Sequence, residues 1–258
     1  MENDMLVMKN QFNTINELFN FNSNFHIIAG PCSVESLKQM EETAQVLIEN
    51  GLKFIRGGAY KPRTSPYDFQ GLGFDGLKIL NHIRKKYGLL IVSEVLDPRD
   101  VESAIDYIDV IQIGSRNMHN YALLKEVGKT NHPILLKRGM MATVKEFINA
   151  AEYIVSNGNT NLILCERGIR TFEDSTRNTL DISCIAIIKQ ETSLPIIADL
   201  SHSLGRTDII FPVLNAVRAM GTDGVMMEIH PCPDKAKSDG FQQLSFQEFE
   251  NLIAISKQ

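Results

Sequence analysis

The chain has 258 residues, of which 43 % are hydrophobic and 22 % charged, and its formal net charge is −5. This is the composition of a globular protein, and the length fits two small domains or one barrel of roughly 250 residues. The acidic balance argues against general nucleic-acid binding, the apolar runs are too short to span a membrane, and the start of the chain lacks the basic and apolar regions of a signal peptide. We therefore expect a cytoplasmic protein whose partners include neither nucleic acid nor membrane.

From residue 25 onward, short apolar runs rich in β-branched residues alternate with amphipathic segments. Eight of these runs are predicted strands, at 25–30, 53–57, 89–94, 110–114, 133–137, 161–166, 195–199 and 224–229. Helices are predicted after them, at 36–51, 73–87, 98–105, 120–127, 143–158, 179–191, 208–220 and 245–257. Thr143 and Glu146 have the spacing of a capping box at the start of one of these helices.

This eightfold alternation predicts an α/β fold, a (β/α)8 TIM barrel of a single domain over residues 25–258. The strands are apolar on both faces, as parallel strands covered on both sides must be. A doubly wound open sheet is the alternative for the same pattern. Residues 1–24 are too few for a second domain and are expected to form an amino-terminal arm or cap.

Cationic side chains follow the predicted strands, where the active site of such a barrel lies. Guanidinium groups bind carboxylate and phosphate through two parallel hydrogen bonds, and ammonium groups add compact charge. The pattern favours a ligand with more than one anionic group, whereas the alternative is a ring of ion pairs with Glu94, Glu166 and Asp199. The cations after the strands are Arg56, Lys61, Arg63, Arg116, Lys137, Arg138, Arg167, Arg170 and Arg206.

A second group comes from the loops after the first, seventh and eighth strands, which are neighbours where the barrel closes. It contains Cys32, His202, Glu228 and Asp239. One thiolate, one imidazole and two carboxylates can hold divalent Mn, Fe, Co or Zn. The alternative is that the cysteine is a small core residue and the histidine a structural one. The four cysteines of the chain lack CxxC spacing, and a disulfide framework is not expected.

Several long, irregular strings resemble the class I 3-deoxy-D-arabino-heptulosonate 7-phosphate (DAHP) synthases of the beta subgroup. They are IAGPCSVES (28–36), RGGAYKPRTSPYDFQGLG (56–73), IGSRNM (113–118), LLKRGM (135–140), LCERGIRTFE (164–173), LSHSLGRTD (200–208) and EIHPCPDKAKSDG (228–240). The resemblance implies a (β/α)8 barrel that condenses phosphoenolpyruvate with erythrose 4-phosphate and releases phosphate, the first step of the shikimate pathway.

The resemblance also implies roles for individual residues. Cys32, His202, Glu228 and Asp239 would bind the divalent metal. Lys61 would lie between the two substrates, and Cys32, Lys61 and His202 are the expected catalytic residues. The residues implied to hold phosphoenolpyruvate are Arg56, Lys61, Arg116, Lys137 and Arg167, and those implied to hold erythrose 4-phosphate are Arg63, Thr64 and Arg206.

The loop that begins at Lys61 carries most of the expected sugar-phosphate contacts. Pro62 fixes its own φ angle and, with Pro66, is expected to stiffen the loop. The family commonly has Asp-Pro-Ser before its metal-binding histidine, whereas this chain has Asp199, Leu200 and Ser201. That departure would alter the stiffness of the segment without changing the ligand.

The family also implies assembly and regulation. It suggests a homotetramer or homodimer, and many relatives carry a regulatory domain for which this chain has no room. We therefore expect a catalytic core whose feedback inhibition, if it has any, comes from a regulatory partner chain.

Two other functions are alternatives for this sequence. A 3-deoxy-D-manno-octulosonate 8-phosphate synthase would share the barrel and metal position but use arabinose 5-phosphate, and its loop has Lys-Ala-Asn-Arg-Ser where this chain has residues 61–65 with Lys-Pro-Arg-Thr-Ser. A non-catalytic phosphate-binding barrel would have lost a metal ligand or a cation, and all of them are present.

Overall fold

Eight parallel strands close into one barrel in the computed structural model, which describes residues 5–9, 19 and 25–256. Each strand pairs with the next, and the last pairs with the first over five residues. The prediction of a (β/α)8 barrel is confirmed, and the open sheet is excluded. The strands are β1 (His26–Gly30), β2 (Phe54–Arg56), β3 (Leu90–Glu94), β4 (Val110–Ile113), β5 (Ile134–Lys137), β6 (Leu162–Glu166), β7 (Ile196–Asp199) and β8 (Gly224–Glu228).

The helices surround the barrel in the order expected for this fold. They are α1 (Leu6–Lys9), α2 (Leu37–Glu49), α3 (Phe74–Tyr87), α4 (Val101–Ala104), α5 (Tyr121–Gly128), α6 (Val144–Val155), α7 (Ile182–Glu191), α8 (Leu200–Leu204), α9 (Ile210–Ala219) and α10 (Phe246–Ser256). The predicted capping box is present at the start of α6. Within the described ranges, every helix is too short or too polar to cross a membrane.

Two of these helices differ from the prediction. The segment 98–105 begins as a 3-10 turn at Pro98–Asp100, and α4 itself is a single turn. α8 was predicted as part of a loop. It forms because the Asp199 side chain accepts a hydrogen bond from the backbone of His202 and caps the helix start. The expected active-site histidine therefore lies on a helix.

The core has an inner and an outer layer, because side chains of each strand alternate between the barrel interior and the surrounding helices. The outer layer is the larger and is formed by the apolar faces of the helices against the barrel. The inner cluster contains Ile28, Phe54, Val92, Val110, Leu135, Ile163, Cys165, Ile197 and Met226. This packed interior leaves the carboxyl ends of the strands as the place for a site.

Parts of the amino-terminal segment contact the barrel and its helices. Phe19 is buried and stacks on Phe54, with the ring centroids 4.3 Å apart. The carboxylate of Glu152 in α6 accepts hydrogen bonds of 3.0 Å from the backbone of Leu6 and Val7. Most of residues 1–24 lie outside the described residues, and the arm or cap stays a prediction.

Candidate active site

Charged side chains end six of the eight strands and therefore meet at one face of the barrel. Parallel strands bring all their carboxyl ends to the same side, so residues far apart in sequence become neighbours there. These strand-end residues are Arg56, Glu94, Lys137, Glu166, Asp199 and Glu228. All six are buried. Charges placed in this way need partners from the protein or from a ligand.

Cys32, His202, Glu228 and Asp239 form a cluster that we call the metal quartet. Each offers one ligand atom, and these atoms all lie within 4.8 Å of one another. Cys32 and Glu228 are fully buried, whereas His202 and Asp239 are partly exposed toward the pocket. The four expected ligands are thus brought together as the sequence predicted, and they form a candidate metal site.

The backbone that carries the quartet is specialised at two positions. Gly30, just before Cys32, has a φ of +150°, and a Cβ atom there would lie 2.1 Å from the carbonyl oxygen of Arg56. Only glycine allows β1 to approach β2 this closely. Asp239 has a φ of +48°, in the left-handed region that aspartate tolerates better than most residues.

The histidine of the quartet is oriented by the carboxylate that caps its helix. Asp199 Oδ2 lies 2.8 Å from His202 Nδ1, and the other oxygen accepts from the His202 backbone at 3.0 Å. His202 Nε2 then faces the quartet, 3.5 Å from Glu228 Oε1. A second ring nitrogen bound to a carboxylate is the usual support of a metal-binding histidine. The donor set and its orientation therefore fit a divalent transition metal.

The Cys32 thiol and the Glu228 carboxyl group of the metal quartet differ in protonation. Burial and the neighbouring charge of Glu228 raise the pKa of the Cys32 thiol to about 11, against the opposing effect of Lys61. Burial alone would raise the pKa of Glu228, but the neighbouring His202, Arg56 and Lys61 lower it to about 2. Binding a metal through the Cys32 sulfur would therefore release a proton, as thiolate coordination requires.

Beside the metal quartet lies a cavity that we call the anion pocket. It is lined by seven cationic side chains against three carboxylates, those of Asp68, Glu94 and Asp239. The cations are Arg56, Lys61, Arg63, Arg116, Lys137, Arg167 and Arg177. His202 and Asp239 belong to both the pocket and the quartet. The positive field therefore adjoins the candidate metal site directly.

Four of the pocket cations have carboxylate partners. Arg56 pairs with Glu228 in a short contact, and Lys137 lies 2.5 Å from Asp199. The other two pairs, Arg63 with Asp68 and Arg177 with Asp239, are longer, at 3.3 Å each. The alternative of a ring of ion pairs thus describes part of the site.

Arg116 and Arg167 have no carboxylate partner among the described residues. Arg116 donates only a 3.4 Å hydrogen bond, to the carbonyl oxygen of Pro62. Arg167 is 4 % exposed and donates to the carbonyl oxygen of Gly168. Burial lowers the pKa of Arg167, the charge of Asp199 opposes this effect, and the charge of Arg177 lowers the pKa further. A buried guanidinium in this state is best neutralised by an anionic ligand.

Lys61 connects the anion pocket with the metal quartet. Its Nζ lies 3.0 Å from Cys32 Sγ and donates to the Cys32 carbonyl oxygen at 3.1 Å. The loop that follows is closed at its base by a hydrogen bond of 2.9 Å from the backbone of Lys61 to Gln70. The side chain of Gln70 donates to three carbonyl oxygens within the same loop. This internal bonding holds Arg63 and Thr64 at the pocket wall.

The charged residues at the ends of β5 and β6 point in two different directions, because side chains alternate along a strand. Lys137 and Arg167 face the pocket, whereas Arg138 and Glu166 lie between the barrel and the helices. There Arg138 pairs with Glu166 at 2.9 Å and with Asp181, which caps α7, at 2.8 Å. Arg138 therefore supports the structure and does not line the pocket.

One residue predicted to contact substrate does not line the pocket, and one cation that lines the pocket was not predicted. Arg206 forms an exposed ion pair with Asp208 and is not among the residues that line the pocket. Arg177 lines it instead, from the loop between β6 and α7. Arg177 lies well beyond the end of β6, so it is not among the cations that directly follow a predicted strand. The other expected substrate contacts, Arg56, Lys61, Arg63, Thr64, Arg116, Lys137 and Arg167, all line the pocket.

Comparison with known proteins shows which family this chain resembles. The family model described as the DAHP synthetase I family matches residues 13–258. A phospho-2-dehydro-3-deoxyheptonate aldolase of Thermotoga maritima is 54 % identical over 236 residues, which are 92 % of this chain and 70 % of that protein. A 2-dehydro-3-deoxyphosphooctonate aldolase of Francisella tularensis subsp. holarctica is 29 % identical over 89 % of this chain and 90 % of its own length.

Solved structures agree with the sequence matches. The crystal structure of the Thermotoga maritima phospho-2-dehydro-3-deoxyheptonate aldolase (DAHP synthase) superposes with a TM-score of 0.87 and 54 % identity, covering 90 % of this chain and 68 % of that one. A truncated form of the 3-deoxy-D-arabino-heptulosonate 7-phosphate synthase from the same organism gives 0.84 at 50 % identity, covering 90 % of this chain and 85 % of that one. The chain therefore belongs to the DAHP synthetase I family.

Proposed function

We propose that the anion pocket and the metal quartet together form the centre at which this DAHP synthase works. The chain is a DAHP synthase, an enzyme of the first step of the shikimate pathway. Its reaction joins phosphoenolpyruvate, erythrose 4-phosphate and water to give 3-deoxy-D-arabino-heptulosonate 7-phosphate and phosphate. The observation that carries the proposal is the contact of Lys61 with Cys32, which places the wall of the anion pocket against the metal ligands.

Phosphoenolpyruvate binds between the buried Arg167 and the exposed Arg116 of the pocket in this proposal. Its phosphate and carboxylate supply the anionic partners that Arg116 and Arg167 lack among the described residues. Arg56 and Lys137, already paired with Glu228 and Asp199, add positive charge beside them. The guanidinium groups orient the substrate as well as neutralise it, because they offer parallel donors in a fixed plane.

Erythrose 4-phosphate binds at the outer wall, along the loop that begins at Lys61. Arg63 and Thr64 line the pocket there, and the loop is already held by its own hydrogen bonds. Arg177, on the opposite loop, is a further candidate for the sugar phosphate and takes the place predicted for Arg206. Two polyanions are thus held side by side by charge that is fixed before they arrive.

Carbon–carbon bond formation follows from this arrangement. The methylene carbon of phosphoenolpyruvate attacks the aldehyde carbon of erythrose 4-phosphate, water adds at the second carbon of the former, and phosphate leaves from that carbon. The Lys61 ammonium lies where it can donate a proton or stabilise the developing negative charge on the aldehyde oxygen. A divalent metal bound to the quartet would supply Lewis-acid polarisation of that oxygen.

The metal is Mn, Fe, Co or Zn in this proposal, because one sulfur, one nitrogen and two oxygen donors suit all four. Asp199 keeps His202 ready to bind through Nε2. The homotetramer or homodimer, the regulatory partner chain and the cytoplasmic location stay predictions from the sequence.

A two-sugar assay tests the function. The purified chain is given phosphoenolpyruvate with either erythrose 4-phosphate or arabinose 5-phosphate, and released phosphate is measured with and without a chelator. We expect release with erythrose 4-phosphate that the chelator abolishes and Mn²⁺ restores. The alternative, a 3-deoxy-D-manno-octulosonate 8-phosphate synthase, predicts phosphate release with arabinose 5-phosphate. The 2-dehydro-3-deoxyphosphooctonate aldolases that this chain resembles are, however, only 26–29 % identical to it. Release with neither sugar would contradict the proposed function.

A further inference from the structure

Two adjacent buried glutamines lie behind the metal quartet, in the loop between β8 and α10. Gln242 and Gln243 are 0 % and 2 % exposed. They follow Asp239 closely, and Gln242 ends a short 3-10 turn that begins at Gly240. Both ends of each side-chain amide form hydrogen bonds to residues that carry or contact the quartet.

Gln242 joins a quartet ligand to a pocket cation. Its Nε2 donates to Glu228 Oε2 at 2.6 Å, and its Oε1 accepts from Arg177 Nη1 at 2.5 Å. The other oxygen of Glu228 faces Arg56 and His202. Glu228 therefore has one oxygen fixed by a neutral amide and the other directed toward the centre of the quartet.

Gln243 joins the two loops that carry Cys32 and Asp239. Its Oε1 accepts from the Cys32 backbone at 3.0 Å, across 211 positions of sequence. Its Nε2 donates to the carbonyl oxygen of Ser238 at 2.9 Å, next to Asp239. The hydroxyls of Ser33 and Ser238 meet in a short hydrogen bond between the same two loops. Gln243 and this pair of hydroxyls together hold the loop of Cys32 at a fixed distance from the loop of Asp239.

The partners of both glutamines require an amide. An ionised carboxylate and a carbonyl oxygen only accept hydrogen bonds, whereas a guanidinium and a backbone N–H only donate. Each glutamine must therefore donate at one end and accept at the other, and this fixes the orientation of both amides. A glutamate could not donate, and an asparagine is one methylene too short to reach both of its partners.

We propose that Gln242 and Gln243 are positioning residues of the metal centre, with Gln242 fixing the Glu228 carboxylate and Gln243 fixing the spacing of Cys32 and Asp239. The inference rests on the proposed metal-binding function of the quartet. Supporting residues of this kind change metal affinity by about 10- to 100-fold when they are removed. They do so because the ligands must otherwise be ordered at the moment of binding.

Cobalt binding tests the inference directly. The metal-free chain is titrated with Co²⁺, and the thiolate-to-cobalt charge-transfer band reports occupancy at Cys32. We expect Gln242→Met and Gln243→Met, which keep side-chain length but lose the amide, to weaken Co²⁺ binding by about 10- to 100-fold. The matched control is Gln247→Met, an exposed glutamine of α10 bonded only to Asn251, which should bind Co²⁺ as the unmodified chain does.

A second measurement separates positioning from general stability. At saturating Co²⁺, Gln243→Met should retain the KM for phosphoenolpyruvate while the Co²⁺ concentration for half-maximal activity rises. If either Met variant fails to fold, Gln242→Asn and Gln243→Asn are used, and the same direction of change in Co²⁺ affinity is expected.

The outcomes distinguish the two proposals. Folded glutamine variants that bind Co²⁺ within twofold of the unmodified chain would overturn the positioning role and leave the metal centre intact. An unmodified chain that shows no thiolate-to-cobalt band would overturn the metal centre itself, and the positioning role with it.

Discussion

Arg167 offers a sharp test because its charge is costly to the folded protein and necessary for the ligand. The side chain is 4 % exposed and has no carboxylate partner among the described residues. Burial lowers its pKa by more than the charge of Asp199 raises it, so that the fold on balance disfavours the charged form. We expect Arg167→Met to raise the free energy of unfolding of the ligand-free protein by about 1–3 kcal/mol, because an unpaired buried charge is replaced by an apolar side chain.

The same substitution should weaken phosphoenolpyruvate binding severely. A guanidinium that binds an anion contributes two charge-assisted hydrogen bonds, each of about 1.5–3 kcal/mol. Losing both costs at least about 3 kcal/mol, which is a rise in Kd of roughly 100-fold or more. A variant that is more stable without ligand but binds phosphoenolpyruvate more weakly would show that Arg167 serves to bind an anion.

Two equilibrium measurements check this prediction. Urea unfolding gives the stability of the ligand-free chain, and isothermal titration calorimetry gives the Kd for phosphoenolpyruvate. Arg99→Met is the control, since Arg99 is exposed, pairs only with Asp97 and lies outside the pocket. It should change stability by no more than about 0.5 kcal/mol and leave the Kd unaltered. An Arg167→Met protein that is destabilised, or that binds phosphoenolpyruvate normally, would refute the reasoning.

Three further substitutions test other parts of the account. Arg138→Met leaves Glu166 and Asp181 without their shared cation and should lower the free energy of unfolding, measured with urea, by about 3–5 kcal/mol. A decrease below about 1 kcal/mol would show that this ion-pair network does not stabilise the fold. Phe19→Ala removes a buried ring that stacks on Phe54 and should cost about 3–5 kcal/mol, whereas unchanged thermal unfolding would contradict its packing role. Cys32→Ala removes the sulfur ligand of the quartet and should abolish both metal-dependent phosphate release and the cobalt–thiolate band. Full activity of this variant after metal removal would contradict the role of the quartet.

Strand order and strand ends were predictable because they depend on local pattern. Parallel strands covered on both faces must be apolar along their length, and the sequence breaks each run with polar residues where the strand ends. Arg56 and Glu228 could therefore be placed at one rim of a barrel without coordinates. The closure of the barrel, which brings the first strand beside the eighth, allowed the loops of the quartet to meet, and the family resemblance implied that the four residues bind a metal.

What could not be predicted depends on the direction and reach of side chains. Arg138 and Arg167 both follow a strand closely, yet alternation sends one outward to Asp181 and the other into the pocket. Arg177 enters the pocket from within a long loop, whose path has no periodic signal. Gln243 has its partner Cys32 more than two hundred positions away, and Gln242 bonds to Glu228 at the end of β8 and to Arg177 on another loop, so the local sequence does not reveal the role of either glutamine.

The location of metal and substrate tests the central claim most directly. A crystal structure of the chain soaked with Mn²⁺ and phosphoenolpyruvate would show the ion by its anomalous scattering. We predict Mn²⁺ bound by the metal quartet, with the phosphate and carboxylate of phosphoenolpyruvate against Arg116 and Arg167. An ion bound at another place, or a phosphoenolpyruvate molecule outside the anion pocket, would contradict the account.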